Sequence, residues 1–275
     1  MPEQNTSLPD NLQIIDMHAH IYPDKIAEKA SIGVGEFYNL PMRNQAGSVA
    51  NLLSSAAQSP IEVTGFLVHS VAVTPKTVES INNFVSSECK AHPQFRGFGT
   101  IHAHTENFEQ EIERIVQLGL RGIKIHPDTQ QFDADCKEMF KIYEILQSKK
   151  LPILVHCGDY RYDYSHPHRI KRIMQSFPNL RLIGAHFGGW SVWDLALEYL
   201  EDENIYLDCS SSMKWLGKVR TRELIRRYGA GRILFGSDFP MWQHKKEIEC
   251  LLSLKLTIDE LEKIFYKNAK QILDF

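Results

Sequence analysis

Two histidines separated by one residue, His18 and His20, end the first apolar stretch of the chain, QIIDMHAH. On a β-strand, residues i and i+2 lie on one face with side-chain origins about 6.5–7 Å apart, so two imidazoles at a strand end can converge on one ion. Zinc binds neutral imidazole nitrogen at about 2.0 Å and keeps one position open when it is catalytic. Without an ion, each buried ring would need its own polar partner. The pair therefore predicts a metal site, provided that further ligands reach it.

Other side chains that can bind a metal or move a proton follow later apolar stretches. They are His69, His126, His156, His186 and Asp238. If these stretches are parallel strands of a barrel, their C-terminal ends converge at one mouth, where catalytic groups gather. Residues far apart in the sequence then become neighbours, and the metal site gains its remaining ligands.

Eight short apolar runs supply the strands that this convergence requires. They span residues 13–18, 63–70, 96–104, 121–127, 152–158, 180–186, 204–210 and 232–238. Near-continuous apolar composition is typical of parallel strands covered on both faces. Segments of helical period alternate with the runs, and the nucleotide-binding motifs GxGxxG and GxxxxGK[ST] of open sheets are absent. The sequence therefore predicts a single-domain (β/α)8 TIM barrel over residues 1–275.

The segments between the runs carry helix boundaries and one oversized gap. Thr105 is predicted to cap the helix that ends before Gly119, and Thr257 with Glu260 matches a capping box. Roughly forty residues separate the first two strands, more than the connection requires. Residues 21–43 are therefore predicted to be an insertion in the first βα loop that covers the mouth of the barrel.

Composition narrows the class of protein and its partners. The formal net charge is −3, which gives no polybasic pattern for nucleic acid or anionic membranes. The polar start lacks a secretory pattern, and no apolar run approaches the roughly 18 residues of a membrane span. Five scattered cysteines indicate reduced thiols. We expect a cytoplasmic enzyme with a small-molecule substrate; homo-oligomerisation is left open.

The motifs at the strand ends resemble amidohydrolase family 2 of the amidohydrolase superfamily. The resemblance rests on seven segments in order along the chain, namely IDMHAH, GIKIHP, ILVHCGD, SHPHRI, IGAHFGGW, ILFGSDFP and YKNAKQIL. The branch contains metal-dependent hydrolases and non-oxidative decarboxylases of aromatic or unsaturated acids. The resemblance implies one divalent metal ion, with zinc expected ahead of manganese, bound by His18, His20, His156 and Asp238. It also implies a catalytic role for His186 in polarising the substrate or activating water.

The leading functional hypothesis is hydrolysis of an amide, ester or lactone. A divalent ion lowers the pKa of a bound water toward about 7, and Asp238 would accept the proton and return it to the leaving group. The alternative is a decarboxylase of an unsaturated or aromatic acid on the same residues. A barrel without chemistry is disfavoured, because such a descendant has no reason to keep every ligand.

The remaining candidates have weaker patterns. Lys124 is either a cation for a substrate carboxylate or, as in binuclear superfamily members, a carboxylated bridge between two metals. Lys124, His126, Tyr160 and Arg161 are predicted to contact the substrate. A structural role competes evenly with a pocket-edge role for His166 and His168. Local hydrogen bonding is expected for His69, His102 and His104, and surface positions for His92 and His244.

Overall fold

The computed structural model describes residues 12–42 and 46–275. The described strands are β1 (Ile14–His20), β2 (Val63–His69), β3 (Phe95–Gly97), β4 (Gly99–Thr100), β5 (Ile123–Ile125), β6 (Ile153–Val155), β7 (Leu182–Gly184), β8 (Tyr206–Asp208) and β9 (Ile233–Leu234). β3 and β4 are two parts of the strand predicted at 96–104, interrupted at Phe98. That strand ends at Thr100, so His102 and His104 lie in the loop beyond it.

Helices follow the strands along the chain. They are α1 (Asp24–Tyr38), α2 (Val49–Ala57), α3 (Val78–Ala91), α4 (Phe108–Gln117), α5 (Pro127–Gln130), α6 (Lys137–Lys149), α7 (Pro167–Ser176), α8 (Trp193–Leu200), α9 (Met213–Tyr228), α10 (His244–Leu252), α11 (Ile258–Glu262) and α12 (Asn268–Ile272). A π-helical turn, Lys263–Lys267, joins α11 to α12. No helix in the described ranges is both long and apolar enough to cross a membrane.

The strands are parallel and follow one another around a barrel. β1–β2–β3 form one sheet and β4 to β9 form a second, each in chain order. Backbone hydrogen bonds join the sheets, among them those from Phe98 N to Val68 O (3.0 Å) and from Met17 N to Phe235 O (2.9 Å). The predicted (β/α)8 barrel is confirmed.

Two layers of apolar side chains stabilise this arrangement. The larger cluster lies between the strands and the surrounding helices. The smaller one fills the barrel interior with residues from alternate positions of the strands and is continued by α12; its members include Ile15, Met17, Leu67, Phe98, Leu154, Ile183 and Leu234. The C-terminal residue Phe275 packs beside Gly65 at the start of β2. The packed interior therefore occupies the N-terminal end of the barrel, which leaves the other end open for a site.

An irregularity in β1 decides which of its side chains face the interior. The pairing register with β2 shifts between Asp16 and Ala19. Met17 belongs to the interior cluster, yet the next residue, His18, also faces the interior cavity together with His20. A bulge of this kind re-aims side chains and breaks the simple alternation. Asp16 and His18 therefore do not share a face, although a regular strand places residues i and i+2 on the same side.

The helix boundaries confirm one predicted cap and correct another. Thr257 and Glu260 form the capping box at the start of α11. Thr105 does not cap α4, which begins at Phe108 after Asn107; its hydroxyl instead accepts a hydrogen bond from His102 N at 3.2 Å. All five cysteines are free.

The segment predicted as an insertion in the first βα loop contains helix α1. Arg43, its last residue, lies outside the described residues. Residues of α1 line the cavity at the C-terminal mouth.

Candidate metal centre

Three of the predicted ligands lie together at the C-terminal end of the barrel. His18 Nε2 and His20 Nε2 are 3.3 Å apart, and each is 3.4 Å from Asp238 Oδ1. Donor atoms about 2.0–2.1 Å from a tetrahedrally coordinated ion lie about 3.3–3.4 Å apart. The triangle formed by His18, His20 and Asp238 therefore fits a divalent metal ion.

Three histidines of the centre, His20, His156 and His186, are in the protonation state that a metal requires. Burial lowers the pKa of His20 to about 4 and that of His186 to about 4. Burial also lowers the pKa of His156 well below its usual value. These imidazoles are neutral at neutral pH, and neutral imidazole is the form that binds metals.

Asp208, which the sequence analysis did not identify as a site residue, orients His18. Its Oδ2 lies 2.8 Å from His18 Nδ1, so the other ring nitrogen, Nε2, is directed at the triangle. Burial raises the pKa of Asp208, but His18 outweighs burial and holds it below its usual value. A carboxylate on the outer nitrogen of a ligating histidine fixes its tautomer and orientation. In the run NIYLDCS this aspartate directly follows the apolar residues, as His156 does in PILVHCG, and that position could have identified it.

His69 lies at the centre, and its ring makes no hydrogen bond to the described residues. Its ring is 4.4 Å from that of His20 and 5.0 Å from that of His18, measured between centroids. It is fully buried, and within the described residues neither ring nitrogen has a partner. The expected local hydrogen bonding of His69 is therefore wrong, and His69 is a further group that could hold a metal with His18 and His20. His102 does bond locally, with Nε2 3.2 Å from Gln130 O.

A pair of histidines lies beside the triangle. His156 is the fourth predicted ligand, and His186 is the predicted catalytic histidine. His186 Nε2 lies 3.1 Å from His156 Nδ1, and the rings of His186 and His18 are stacked at 5.2 Å. His156 groups most closely with His126 and Asp128 rather than with His18 and His20. The structure therefore brings all predicted ligands to one mouth, with His156 adjoining the triangle through His186.

Tyr38, at the end of α1, reaches into the centre from the loop side. Its hydroxyl lies 2.6 Å from His126 Nε2 and 3.4 Å from His156 Nε2. The rings of His126 and His156 are stacked with centroids 3.7 Å apart. Burial raises the pKa of Tyr38 above its usual value, so the phenol is neutral and can donate a hydrogen bond. The sequence analysis placed Tyr38 at the barrel mouth but did not assign it this contact.

Lys124 places a buried ammonium group against the triangle. Its Nζ lies 3.3 Å from His18 Nε2, and the side chain is fully buried. Burial lowers the pKa of Lys124 to about 8. Among the described residues that line the cavity, Lys124 is the only lysine or arginine. The base of the cavity therefore carries a cation next to the metal-binding residues.

Asp238 and His186 share an unusual backbone conformation. Their φ angles are 55° and 59°, in the left-handed region that non-glycine residues rarely adopt. Such strained residues cluster at functional sites. Burial raises the pKa of Asp238, but the interaction with His18 and the hydrogen bond from His20 outweigh burial, so the net shift is far downward. Asp238 is thus ionised, and Ser211 Oγ donates to its second oxygen.

Asp16 and His244 form a buried brace behind β1. His244 Nε2 lies 2.9 Å from Asp16 Oδ2, and His244 Nδ1 lies 2.9 Å from Ser55 Oγ of α2. Asp16 also accepts hydrogen bonds from the backbone N–H groups of His18 and Ser237, at 3.0 and 2.9 Å. The expected surface position of His244 is wrong, because its side chain is fully buried. The brace joins β1 to α2, α10 and the segment before Asp238.

Two of the predicted substrate contacts lie away from the cavity. Tyr160 is exposed and does not line it. Arg161 uses Nε and Nη2 to bind Asp159, at 2.9 and 2.6 Å, and Nη1 to bind Phe37 O at the end of α1. The Arg161 guanidinium therefore holds α1 in place. Lys124 and His126 do line the cavity.

His166 ends the loop after β6 and His168 lies in the first turn of α7, both outside the cavity lining. His166 Nδ1 accepts a hydrogen bond from His168 N at 3.2 Å and thereby caps α7. The structure thus assigns His166 a structural contact.

A cavity of about 750 Å³ opens from the metal centre toward solvent. Its base contains His18, His20, Lys124, His126, Asp128, His156, His186 and Asp238, and its walls include α1 and the segment from Val71 to Phe84. Volumes of about 300–1,000 Å³ are usual for small-molecule sites. The centre therefore lies at the end of a cavity that can admit a small-molecule substrate.

Known proteins resemble the chain in sequence over part of its length and in structure over nearly all of it. Decarboxylase orsB of Emericella nidulans is 25% identical over 123 residues, a match that spans 37% of this chain and 36% of that protein. An uncharacterised TIM-barrel protein of Bordetella bronchiseptica superposes with a TM-score of 0.77 at 21% identity, covering 95% of this chain and 98% of that one.

Two solved decarboxylases share the same fold. The 5-carboxyvanillate decarboxylase of Sphingomonas paucimobilis has a TM-score of 0.75 at 18% identity, with coverage of 95% and 98%. The dihydroxybenzoic acid decarboxylase of Polaromonas sp. JS666, solved with manganese and the inhibitor 2-nitroresorcinol, has a TM-score of 0.72 at 16% identity, with coverage of 94% and 96%. At such identities the likeness shows the fold alone.

The family assignment rests on the whole set of strand-end motifs. The family model described as amidohydrolase matches residues 15–275. The match includes both β1 histidines and every other residue placed at the centre above. The chain therefore belongs to amidohydrolase family 2.

Proposed function

We propose that this protein is a divalent-metal-dependent decarboxylase of an unsaturated or aromatic carboxylic acid. The observation that carries the proposal is the buried ammonium of Lys124 beside the triangle of His18, His20 and Asp238. A buried cation recognises an anion, and a decarboxylase substrate presents a carboxylate, whereas the carbonyl of an amide, ester or lactone is neutral. The decarboxylases named above, similar in fold or in part of the sequence, support this choice over hydrolysis.

The roles of the residues follow from their contacts. His18, His20 and Asp238, with His156 beside them, would hold one divalent ion. When bound, that ion supplies a positive charge that binds and polarises the substrate. Lys124 binds the carboxylate, and His126 with Tyr38 positions the remainder of the acid.

The net reaction converts R–COO⁻ and a proton into R–H and carbon dioxide. Asp238, ionised and in contact with both β1 histidines, is placed to accept that proton and then deliver it to the carbon that loses the carboxyl group, which returns Asp238 to its ionised form. His186 is hydrogen-bonded to His156, and the two imidazoles together are oriented toward the substrate. We further infer that residues 1–275 serve this site as one domain, with residues 21–43 as the insertion at its mouth.

Hydrolysis of an amide, ester or lactone is the second candidate. The family model bears the description amidohydrolase, and a metal with an adjacent carboxylate also suits activation of water. The same residues would then act with Asp238 as the proton acceptor. Zinc and manganese are both compatible with a set of imidazole and carboxylate ligands.

One experiment separates the two reactions. Protein reconstituted with manganese or zinc is assayed for carbon dioxide release from 2,6-dihydroxybenzoate, 5-carboxyvanillate and other unsaturated acids, and for hydrolysis of lactones and acyl amides. We expect carbon dioxide from at least one acid, one bound metal per chain, and weaker acid binding in Lys124→Met. Hydrolysis of a lactone or amide with no carbon dioxide from any acid would overturn the proposal.

A further inference from the structure

The cavity continues beyond the metal centre as a groove between two helices. One wall is a face of α1 with residues at helical spacing, Ile26, Ala30, Gly33, Val34 and Phe37. The other wall is formed by the segment after β2 and the first turns of α3, with Val73, Ile81 and Phe84. Ile26 and Val73 are 47% and 56% exposed at the rim. The groove is therefore apolar on both sides and open to solvent.

Charge is confined to the base of the cavity. Lys124, Asp128 and Asp238 are the charged residues among the described lining residues, and all three are buried at the metal centre. The hydroxyls of Thr77 and Ser80, on the α3 wall, donate to backbone carbonyls three residues earlier at 3.0 Å. The groove therefore offers a ligand apolar contact, while recognition of charge takes place at its inner end.

The size of the cavity exceeds what a single-ring acid requires. A volume of about 750 Å³ lies in the upper part of the range for small-molecule sites, which bury most of a drug-sized ligand. Along α1, the lining residues from Ile26 to Phe37 extend about 16 Å at 1.5 Å per residue. A hydrocarbon group several carbons long fits between the helices while the carboxylate lies at Lys124.

We propose that the substrate acid carries an apolar alkyl substituent that occupies the groove between α1 and α3. The inference rests on the proposed function in one respect, namely that the carboxylate binds at the metal centre. The groove then selects among acids by the length of the substituent. Each methylene buried there contributes about a fourfold gain in affinity until the groove is filled.

Gly33 offers a direct way to fill the groove. No heavy atom lies within 4 Å of the position that a Cβ of residue 33 would occupy, and its backbone is not in the left-handed region. Glycine in a helix interior is less favourable than other residues, so Gly33→Leu is expected to fold at least as well as the wild type. Glu28→Leu is the matched control, because Glu28 is exposed on α1 and does not line the cavity.

The test measures binding rather than turnover. Dissociation constants of 4-alkylbenzoates from methyl to octyl are determined by calorimetry on manganese-reconstituted wild type, Gly33→Leu and Glu28→Leu, with thermal unfolding as the check on folding. We expect affinity to rise with chain length in the wild type and in Glu28→Leu. In Gly33→Leu the ratio of octyl to methyl affinities should fall by about fifteenfold, the contribution of two methylenes.

Several outcomes would overturn the proposal that the groove binds an alkyl substituent. They are an affinity that is flat along the series, no binding by any member, or the same gain in Gly33→Leu as in the wild type. The result is distinct from that of the reaction assay. If affinity rises with alkyl chain length but no carbon dioxide is released, the groove proposal stands and the decarboxylase proposal is wrong. If carbon dioxide is released but affinity does not change with alkyl chain length, the decarboxylase proposal stands and the groove proposal is wrong.

Discussion

At the scale of single residues, Asp238 combines burial, an unusual backbone conformation and contacts with two predicted metal ligands. It is buried, adopts a left-handed backbone conformation and contacts both β1 histidines. Ser211 binds its second oxygen and so leaves one oxygen for the triangle. These contacts suit a carboxylate that both binds a metal and moves a proton.

Asp238→Asn tests that double role. Asparagine is nearly isosteric and keeps an oxygen for a metal, but it cannot accept a proton at neutral pH. We expect most of the metal to be retained while turnover falls by about 10²- to 10⁴-fold. Turnover and metal content are measured on the same sample. Full activity with full metal would remove Asp238 from the proton path.

Asp208→Asn tests how His18 is oriented. The substitution replaces the carboxylate 2.8 Å from His18 Nδ1 by a neutral amide. Because such partners fix ligand orientation, we expect metal affinity to fall by about 10- to 100-fold. Competition with a chelator gives the affinity, and Asp194→Asn, at an exposed carboxylate, is the control. Equal affinity in both variants would show that Asp208 does not tune the site.

At the scale of elements, β1 depends on neighbours that are remote in sequence. Its irregularity between Asp16 and Ala19 brings His18 and His20 to the interior and leaves Asp16 facing α2 and α10. The brace from Asp16 to His244 and Ser55 then holds β1 to these two helices. The geometry of the metal centre is thus tied to the outer layer of the barrel.

His244→Ala measures the strength of this brace. Removing the imidazole deprives a buried carboxylate of one hydrogen-bond partner, so we expect a loss of about 2–3 kcal/mol in the free energy of unfolding. His92→Ala is the control, since His92 is partly exposed and its Nε2 lies 3.7 Å from Glu88; a surface change of this kind costs within about 0.5 kcal/mol. Urea denaturation compares the two. Equal stabilities would mean that the brace contributes nothing.

At the scale of the whole molecule, the carboxylates near the metal centre affect how the stability of the protein depends on pH. Glu247 of α10 is buried, and burial, together with Asp238 and Asp16, raises its pKa to about 8. A glutamate with a folded pKa above its unfolded value binds more protons in the folded state. Its contribution to stability is therefore present below the unfolded pKa and is lost as pH rises through about 8.

Glu247→Gln should remove this pH dependence. Because glutamine does not titrate, the stability of the variant relative to wild type should increase by up to about 1.4 kcal/mol per pH unit between pH 5 and 8. Denaturant unfolding across that range provides the measurement, and Glu249→Gln, exposed on the same helix, is the control. A stability difference that stays constant with pH would contradict a raised pKa.

The sequence by itself determined the barrel, the family and the mouth at which the site lies. Local composition is sufficient for this, because near-continuous apolar runs mark parallel strands and their C-terminal ends must meet. His18, His20 and Asp238 were therefore predicted to meet, and the described structure brings their donor atoms within 3.4 Å of one another.

Only the tertiary structure decided which neighbours these residues have. A regular strand would place Asp16 and His18 on one face, and the bulge in β1 separates them. Nothing local to His244 distinguishes it from the partly exposed His92, since its burial arises from packing of α10 against β1 and α2. Asp208 and Tyr38 reach the centre from β8 and α1, and such contacts depend on how distant segments fold together. Position along a strand is a local property, whereas burial and partners are set by the packing of the whole barrel.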